Sequence, residues 1–171
     1  MKYKRIIVLG GSGSGKSTLA NRISVYTGYP IYHLDNLLLN SDWSQKDKSE
    51  WLNICKEEFL SKEVGVVDGN YSSVFNERID WADLIIFINV PTHRHLFNIF
   101  KRSFMVNLGL EKRHGMMNDR KDKVDLKFFK WVLNWNRSHK KKMFSILETI
   151  KDKKVVVTNK PRKLNIETLF S

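Results

Sequence analysis

The segment Gly10-Gly11-Ser12-Gly13-Ser14-Gly15-Lys16-Ser17 constrains this chain more than any other feature. It satisfies the spacing G-x-x-x-x-G-K-[ST] in full. Before it runs Lys4-Arg5-Ile6-Ile7-Val8-Leu9, a β-branched stretch that reads as a buried strand. After it Leu19, Ala20, Ile23 and Tyr26 recur at helical spacing until Gly28 and Pro30 stop the pattern. Between a strand and a helix, such a turn curls its backbone so that successive N–H groups converge on phosphate oxygens, and the helix presents its N-terminus to the anion. Gly10, Gly11, Ser12, Gly13, Ser14 and Gly15 are therefore expected to form a phosphate cradle. Lys16 is expected to reach the β- and γ-phosphates, the Ser17 hydroxyl to ligate Mg²⁺, and Thr18 to support the helix start or a phosphate contact. The cofactors implied are ATP and Mg²⁺.

The alternation of strand and helix continues along the chain. Ile31-Tyr32-His33-Leu34 reads as a second strand, a helix passes through Trp51, Leu52, Cys55 and Phe59, and Val64-Gly65-Val66-Val67 reads as a third strand. Leu84-Ile85-Ile86-Phe87-Ile88 is the most apolar strand, a long helix starts at about Thr92, and Val155-Val156-Val157 precedes a short terminal helix. Near-continuous apolar strands separated by helices imply a five-stranded parallel sheet covered on both faces, a doubly wound α/β fold. A length of 171 residues fits one domain over 1–171, and no repeat or low-complexity linker divides it. The stretch 107–123, polar and basic between two helices, is expected to be a small mobile insert.

Charge is informative once it is located. Residues 1–100 carry 11 basic and 11 acidic side chains, whereas 101–154 carry 16 basic against 6 acidic. A cationic segment attracts polyanions, which leaves nucleic acid, an anionic membrane surface and a phosphorylated small substrate as partners. No apolar run approaches the roughly 20 residues of a bilayer span, so no membrane is expected. The single cysteine, Cys55, forms no internal disulfide and fits a reducing, cytoplasmic compartment. Oligomeric state is open.

Two features argue against a GTPase. Asp68 is followed directly by Gly69, where a γ-phosphate sensor would read Asp-x-x-Gly, and Asn159-Lys160-Pro161-Arg162 places Arg where the base-reading Asp belongs. Motor and transporter ATPases need more chain for their coupling elements, so a small kinase fits the length best.

The chain resembles the adenylate-kinase-like branch of P-loop kinases, and more closely the bacterial DNA topology modulation proteins. The resemblance rests on the P-loop, on His33-Leu34-Asp35-Asn36-Leu37 with Trp43, on Val67-Asp68-Gly69-Asn70-Tyr71, on Trp81-Ala82-Asp83 with Pro91, and on Trp131 to Trp135. It implies a P-loop NTPase fold with a small basic lid and an ATP- and Mg²⁺-dependent phosphotransferase. The acceptor would be a nucleoside, a nucleotide or a related small metabolite. Asp68 would be a magnesium-supporting carboxylate ending a strand. Asp35, ending the second strand, would orient or deprotonate the acceptor hydroxyl. Arg102, Arg113 and Arg120 would be the lid-side cations that meet the γ-phosphate, with Arg137 a further candidate. The resemblance also carries an alternative, a nucleotide-binding, nucleic-acid-associated regulator acting through the basic segment 101–154 with little or no kinase activity.

Other signals carry less. His93 and His95 are two apart with no cysteine beside them and read as surface or helix-start residues. Trp131 and Trp135, on an apolar helix face, read as core or hinge packing, and Cys55 as a small buried hydrophobe.

Overall fold

The computed structural model describes residues 1–40, 44–108, 130 and 132–171. Five strands, β1 (Arg5–Gly10), β2 (Ile31–His33), β3 (Gly65–Asp68), β4 (Leu84–Ile88) and β5 (Lys154–Thr158), form one all-parallel sheet in the order β2-β3-β1-β4-β5. The helices are α1 (Lys16–Thr27), α2 (Leu34–Leu38), α3 (Trp51–Cys55), α4 (Phe75–Trp81), α5 (Thr92–Asn107), α6 (Lys140–Thr149) and α7 (Ile166–Phe170). Wider π-type turns extend α3 through Lys56–Leu60 and precede α6 at Trp135–His139.

Alternation along the strands divides the core into two layers. Ile7, Leu9, Val67, Ile85 and Phe87 face one side, where they pack with Trp51, Phe59, Trp81, Trp135 and Leu147. Ile6, Val8, Val66, Leu84, Ile86 and Ile88 face the other, against Leu19, Ala20 and Ile23 of α1 and Ile166 and Phe170 of α7. Both central strands are buried on both faces, which is why they read as unbroken apolar runs.

Topology then places the site. The chain leaves β1 toward β2 on one side, returns to β3, and crosses β1 to reach β4 on the other. The carboxyl end of β1 is thus a switch point, the crevice in which open α/β sheets bind ligands. In register, Val8 pairs with Asp68 and His33 pairs with Asp68, so the ends of β1, β2 and β3 lie on one edge.

One boundary differs from the sequence expectation. Strand β2 ends at His33, and Leu34 opens helix α2, so Asp35 lies in a first helical turn and not at a strand end. The cause is tertiary: Leu34 is fully buried against Gly69, where a Cβ on the glycine would lie 2.8 Å from the Leu34 Cβ. The long helix begins at Thr92 as expected and runs to Asn107. The rest of the expected insert, from 109 onward, lies outside the described residues. Among those described, no helix is long and apolar enough to cross a membrane.

Candidate active site

The glycine-rich turn leaves β1 and enters α1 with Gly13 and Gly15 in left-handed conformations, φ 74° and 94°. Five of its main-chain oxygens, those of Gly10, Gly11, Ser12, Gly13 and Gly15, are committed to donors from the protein. The Gly10 carbonyl accepts from the Asn70 side-chain amide, which in turn accepts the Gly10 N–H at 3.2 Å. The Gly11 carbonyl takes the Ser14 N–H at 3.1 Å and the Lys16 ammonium at 3.2 Å. The Ser12 carbonyl takes His95 Nδ1 at 2.7 Å, the Gly13 carbonyl takes Asn98 Nδ2 at 2.8 Å, and the Gly15 carbonyl takes the Leu19 N–H at 3.0 Å. Helix α1 starts without a side-chain cap, so its first N–H groups are not occupied by one. Thr18 is exposed.

Asp68 ends β3 beside this turn and is almost wholly buried. Its Oδ1 lies 2.7 Å from His33 Nδ1, which donates because a carboxylate only accepts. Burial pushes the Asp68 carboxyl up. The His33 hydrogen bond and charge, the Ser17 hydroxyl and the Lys16 ammonium outweigh that, and hold it below the ordinary carboxylate value. Ser17 and Asp68 thus present a hydroxyl and an ionised carboxylate to one spot, a hard oxygen pair of the kind magnesium takes. Among the described residues no group of three or more His, Cys, Asp or Glu side chains is placed to hold a metal. The pair therefore suits a cation that brings phosphate oxygens and water as its remaining ligands.

On the β2 side, Asp35 Oδ1 accepts the Tyr71 hydroxyl at 2.8 Å, and the Tyr71 ring meets Trp51 edge to face at 5.2 Å. The loop carrying Asn70 and Tyr71 is fixed from beneath by Arg78. This guanidinium has no exposed surface and donates to the carbonyls of Val74 at 3.1 Å, Gly69 at 2.9 Å and Tyr71 at 2.9 Å. Burial lowers its pKa to about 10, so it stays a cation at neutral pH. One buried arginine therefore sets the path of the segment that joins the Asp68 end of β3 to Tyr71.

The α5 side departs from the sequence reading. His95 does lie in the first turn of α5, as a helix-start residue would, but it is not on the surface: it is fully buried against the glycine-rich turn, its ring centroid 6.3 Å from that of Trp135. The reason is steric. A Cβ on Gly11 would lie 2.6 Å from His95 Cε1 and 2.8 Å from Trp135 Cζ3, and a Cβ on Gly13 would lie 2.7 Å from the His95 carbonyl oxygen. Trp135 is buried, in keeping with the packing expected of it, and Cys55 is buried with its thiol pushed up to about 11.

Arg102 lies half-buried in the last turns of α5. Arg113, Arg120, Trp43 and Trp131 lie outside the described residues. The turn after β5 reaches the far side of the P-loop: Arg22 of α1 binds the carbonyls of Pro161, Arg162 and Leu164 at 2.9 to 3.1 Å, and a Cβ on Gly15 would lie 3.6 Å from Pro161 Cγ. Sequence reasoning assigned no role to His33, Asn70, Tyr71, Arg78, His95 or Asn98. For the last two a signal was available: Gly11 and Gly13 fill positions that the phosphate motif leaves open, and glycine there admits a close neighbour.

No protein-family model matches the chain, and no curated protein matches it. Solved structures do. A gluconokinase from Sinorhizobium meliloti 1021 superposes with a TM-score of 0.56 at 16% identity, over 98% of this chain and 87% of that one. The shikimate kinase from Aquifex aeolicus vf5 gives 0.53 at 17% identity over 96% and 92%. A sugar kinase from Janibacter sp. HTCC2649 gives 0.53 at 14% over 98% and 90%. With the five-stranded parallel sheet, these likenesses establish the α/β P-loop fold that the three kinases share; none of the three is a DNA topology modulation protein.

Proposed function

We propose that the protein is an ATP- and Mg²⁺-dependent phosphotransferase that transfers the γ-phosphoryl group to a hydroxyl or phosphate of a small metabolite, such as a nucleoside, a nucleotide or a related compound. The observation that carries this reading is the convergence of Lys16, Ser17 and Asp68 at the end of β1, with Asp35 held by Tyr71 one strand beyond β3. The fold neighbours named above are kinases, which supports the same class.

In this reading the loop amides and the α1 N-terminus bind the polyphosphate, and the Lys16 ammonium supplies charge at the β- and γ-phosphates. Ser17 and Asp68 would hold Mg²⁺, which supplies charge neutralisation to the phosphates when bound. For a hydroxyl acceptor, Asp35 orients the hydroxyl and takes its proton as the new P–O bond forms and the bond to the β–γ bridging oxygen breaks. Arg102 and Arg113 are the cations proposed for the charge spread over the transferred group.

The test is ADP formation from ATP and Mg²⁺ across a panel of nucleosides, nucleotides, sugars, gluconate, shikimate and short oligonucleotides. At least one acceptor is expected to raise turnover, and Lys16→Ala is expected to abolish it with the melting temperature unchanged. Full turnover in Lys16→Ala would overturn the reading. Retardation of duplex DNA that is steep in salt, without turnover, would favour the nucleic-acid-associated alternative.

A further inference from the structure

The motif explains why the turn binds phosphate but not why positions 11 and 13 are glycine, nor why a histidine is buried on the helix behind it. One contact bears on both, beside the left-handed φ of 74° that already favours glycine at position 13. Helix α5 is pressed so closely against the turn that a methyl group at either position would overlap His95. From that contact two side chains on adjacent turns of the helix reach the loop, His95 to the Ser12 carbonyl and Asn98 to the Gly13 carbonyl.

We infer that His95 and Asn98 are positioning residues for the nucleotide polyphosphate, holding two loop carbonyls turned away from the phosphates so that the Gly13 amide faces them while the Ser14 amide closes the turn on the Gly11 carbonyl. The inference rests on the nucleotide reading above and adds to it two residues outside the motif. The geometry is that of a trans peptide, in which a C=O and the next residue's N–H point to opposite sides, and the chain has no cis bond among the described residues. Tying the Ser12 and Gly13 carbonyls to α5 therefore sends the Gly13 and Ser14 N–H groups to the other face of the loop. The Ser14 N–H is found there, on the Gly11 carbonyl beside Lys16. A carbonyl released from α5 is free to rotate its negative end toward the anion, and two glycines in the turn leave little backbone resistance to that rotation.

Each donor is a single side-chain nitrogen, so it can be removed and restored. Asn98→Leu keeps the side chain's size, removes its donor and lies at a half-buried position. It is expected to raise the calorimetric Kd for Mg-ATP about tenfold, because a carbonyl freed to turn its negative end toward the anion opposes binding itself. His95→Leu is expected to do the same. His95→Asn, whose Nδ2 stands as many bonds from Cβ as the histidine Nδ1, is expected to recover affinity to within about threefold of wild type. Where turnover is measurable, KM for ATP is expected to rise with kcat and the acceptor KM unchanged.

Amide exchange at Ser14 supplies a readout free of nucleotide, and it is expected to quicken in Asn98→Leu. A variant that melts lower yet binds Mg-ATP as wild type does would confine the two contacts to stability and overturn the inference. So would unchanged affinity together with unchanged Ser14 exchange. If the wild-type protein gives no heat with Mg-ATP, the nucleotide reading fails by itself. Ser14 exchange then decides only whether α5 sets the direction of the loop amides: quickened exchange supports that placement and unchanged exchange refutes it.

Discussion

Gly13 and Gly28 share one backbone conformation, φ 74°, and differ in what surrounds them, so an alanine at each separates the cost of conformation from that of contact. At Gly28, past the end of α1, a Cβ meets nothing within 4 Å. An L-residue in the left-handed region costs about 1 to 2 kcal/mol, and alanine recovers roughly 0.4 to 1 by restricting the unfolded chain. Gly28→Ala should therefore cost about 1 kcal/mol. At Gly13 the same Cβ would lie 2.7 Å from the His95 carbonyl oxygen and 2.8 Å from Ile99 Cγ1. One of these neighbours is backbone and the other a buried β-branched side chain, so neither yields easily. Overpacking of this kind adds about 1 to 3 kcal/mol, which brings Gly13→Ala to about 2 to 4 kcal/mol. At about 2 to 4 °C per kcal/mol for a chain of this size, the melting point should fall by about 2 to 4 °C for Gly28→Ala and by about 4 to 16 °C for Gly13→Ala. Urea melts of both variants and wild type, checked for equal m-values, measure the difference directly. Equal losses in the two variants would refute the claim that α5 is in steric contact with the turn.

Arg78→Met removes the donors of three carbonyls in the Gly69–Val74 segment and should cost about 3 to 5 kcal/mol at roughly 1 kcal/mol or more per orphaned group; urea denaturation measures it, and a loss below about 1 kcal/mol would show that the loop holds without it. Tyr71→Phe should lower kcat several-fold with the Kd for Mg-ATP unchanged, and Asp35→Asn should retain more kcat than Asp35→Ala if Asp35 acts mainly by orienting the acceptor; steady-state kinetics with calorimetry separates the two. Stability should also fall in acid by two steps. Burial, with the Lys16 and Lys140 charges nearby, holds the His95 pKa below 6.5 against the opposing pull of its hydrogen bond to Ser12. As pH drops below 6.5 the unfolded chain therefore protonates first, and stability declines until the folded value is passed. Asp68, held below 3.8 in the fold, adds a second loss below pH 3.8 by the same sign. Urea melts from pH 8 downward measure both steps, and His95→Asn should remove the first.

What the sequence revealed and concealed follows from where each structural determinant lies. The strands were legible because β1 and β4 are covered on both faces, and burial of that kind writes an apolar run without interruption; Leu84–Ile88 and the start of α5 at Thr92 fall where the runs place them. The phosphate turn was legible because its chemistry is local, eight consecutive residues between a strand and a helix. Asp35 was misplaced by a turn of chain because Leu34 is drawn under Gly69, a contact between segments 35 residues apart that no local pattern encodes. Arg78 stands beside Asn76, Glu77 and Asp80, polar neighbours that carry no sign of its burial. Its partners are main-chain carbonyls, and those have no side-chain signature. His95 was hidden for a similar reason, since whether a histidine is buried depends on what packs over it.

The pattern of donors around the turn also accounts for how Lys16 can serve two states. The carbonyls of Gly10, Ser12 and Gly13 are each tied by a side chain from another segment, Asn70 from the β3 loop and His95 and Asn98 from α5. These ties involve neither Lys16 nor the first amides of α1, so phosphate can be bound without breaking them. The Gly11 carbonyl is the exception, because it accepts from Lys16 itself. It also accepts the Ser14 N–H, so when the ammonium swings to a phosphate oxygen this carbonyl keeps a partner and the loop keeps its shape. In the proposed function, binding would move the Lys16 ammonium from a neutral carbonyl to an anionic phosphate oxygen with the loop backbone left in place. The cost of ordering the loop has been met in folding, which is the condition for fixed dipoles to favour an anion strongly. In the proposed function, affinity for the polyphosphate would therefore depend on the packing of α5 and the β3 loop as well as on the eight residues of the motif.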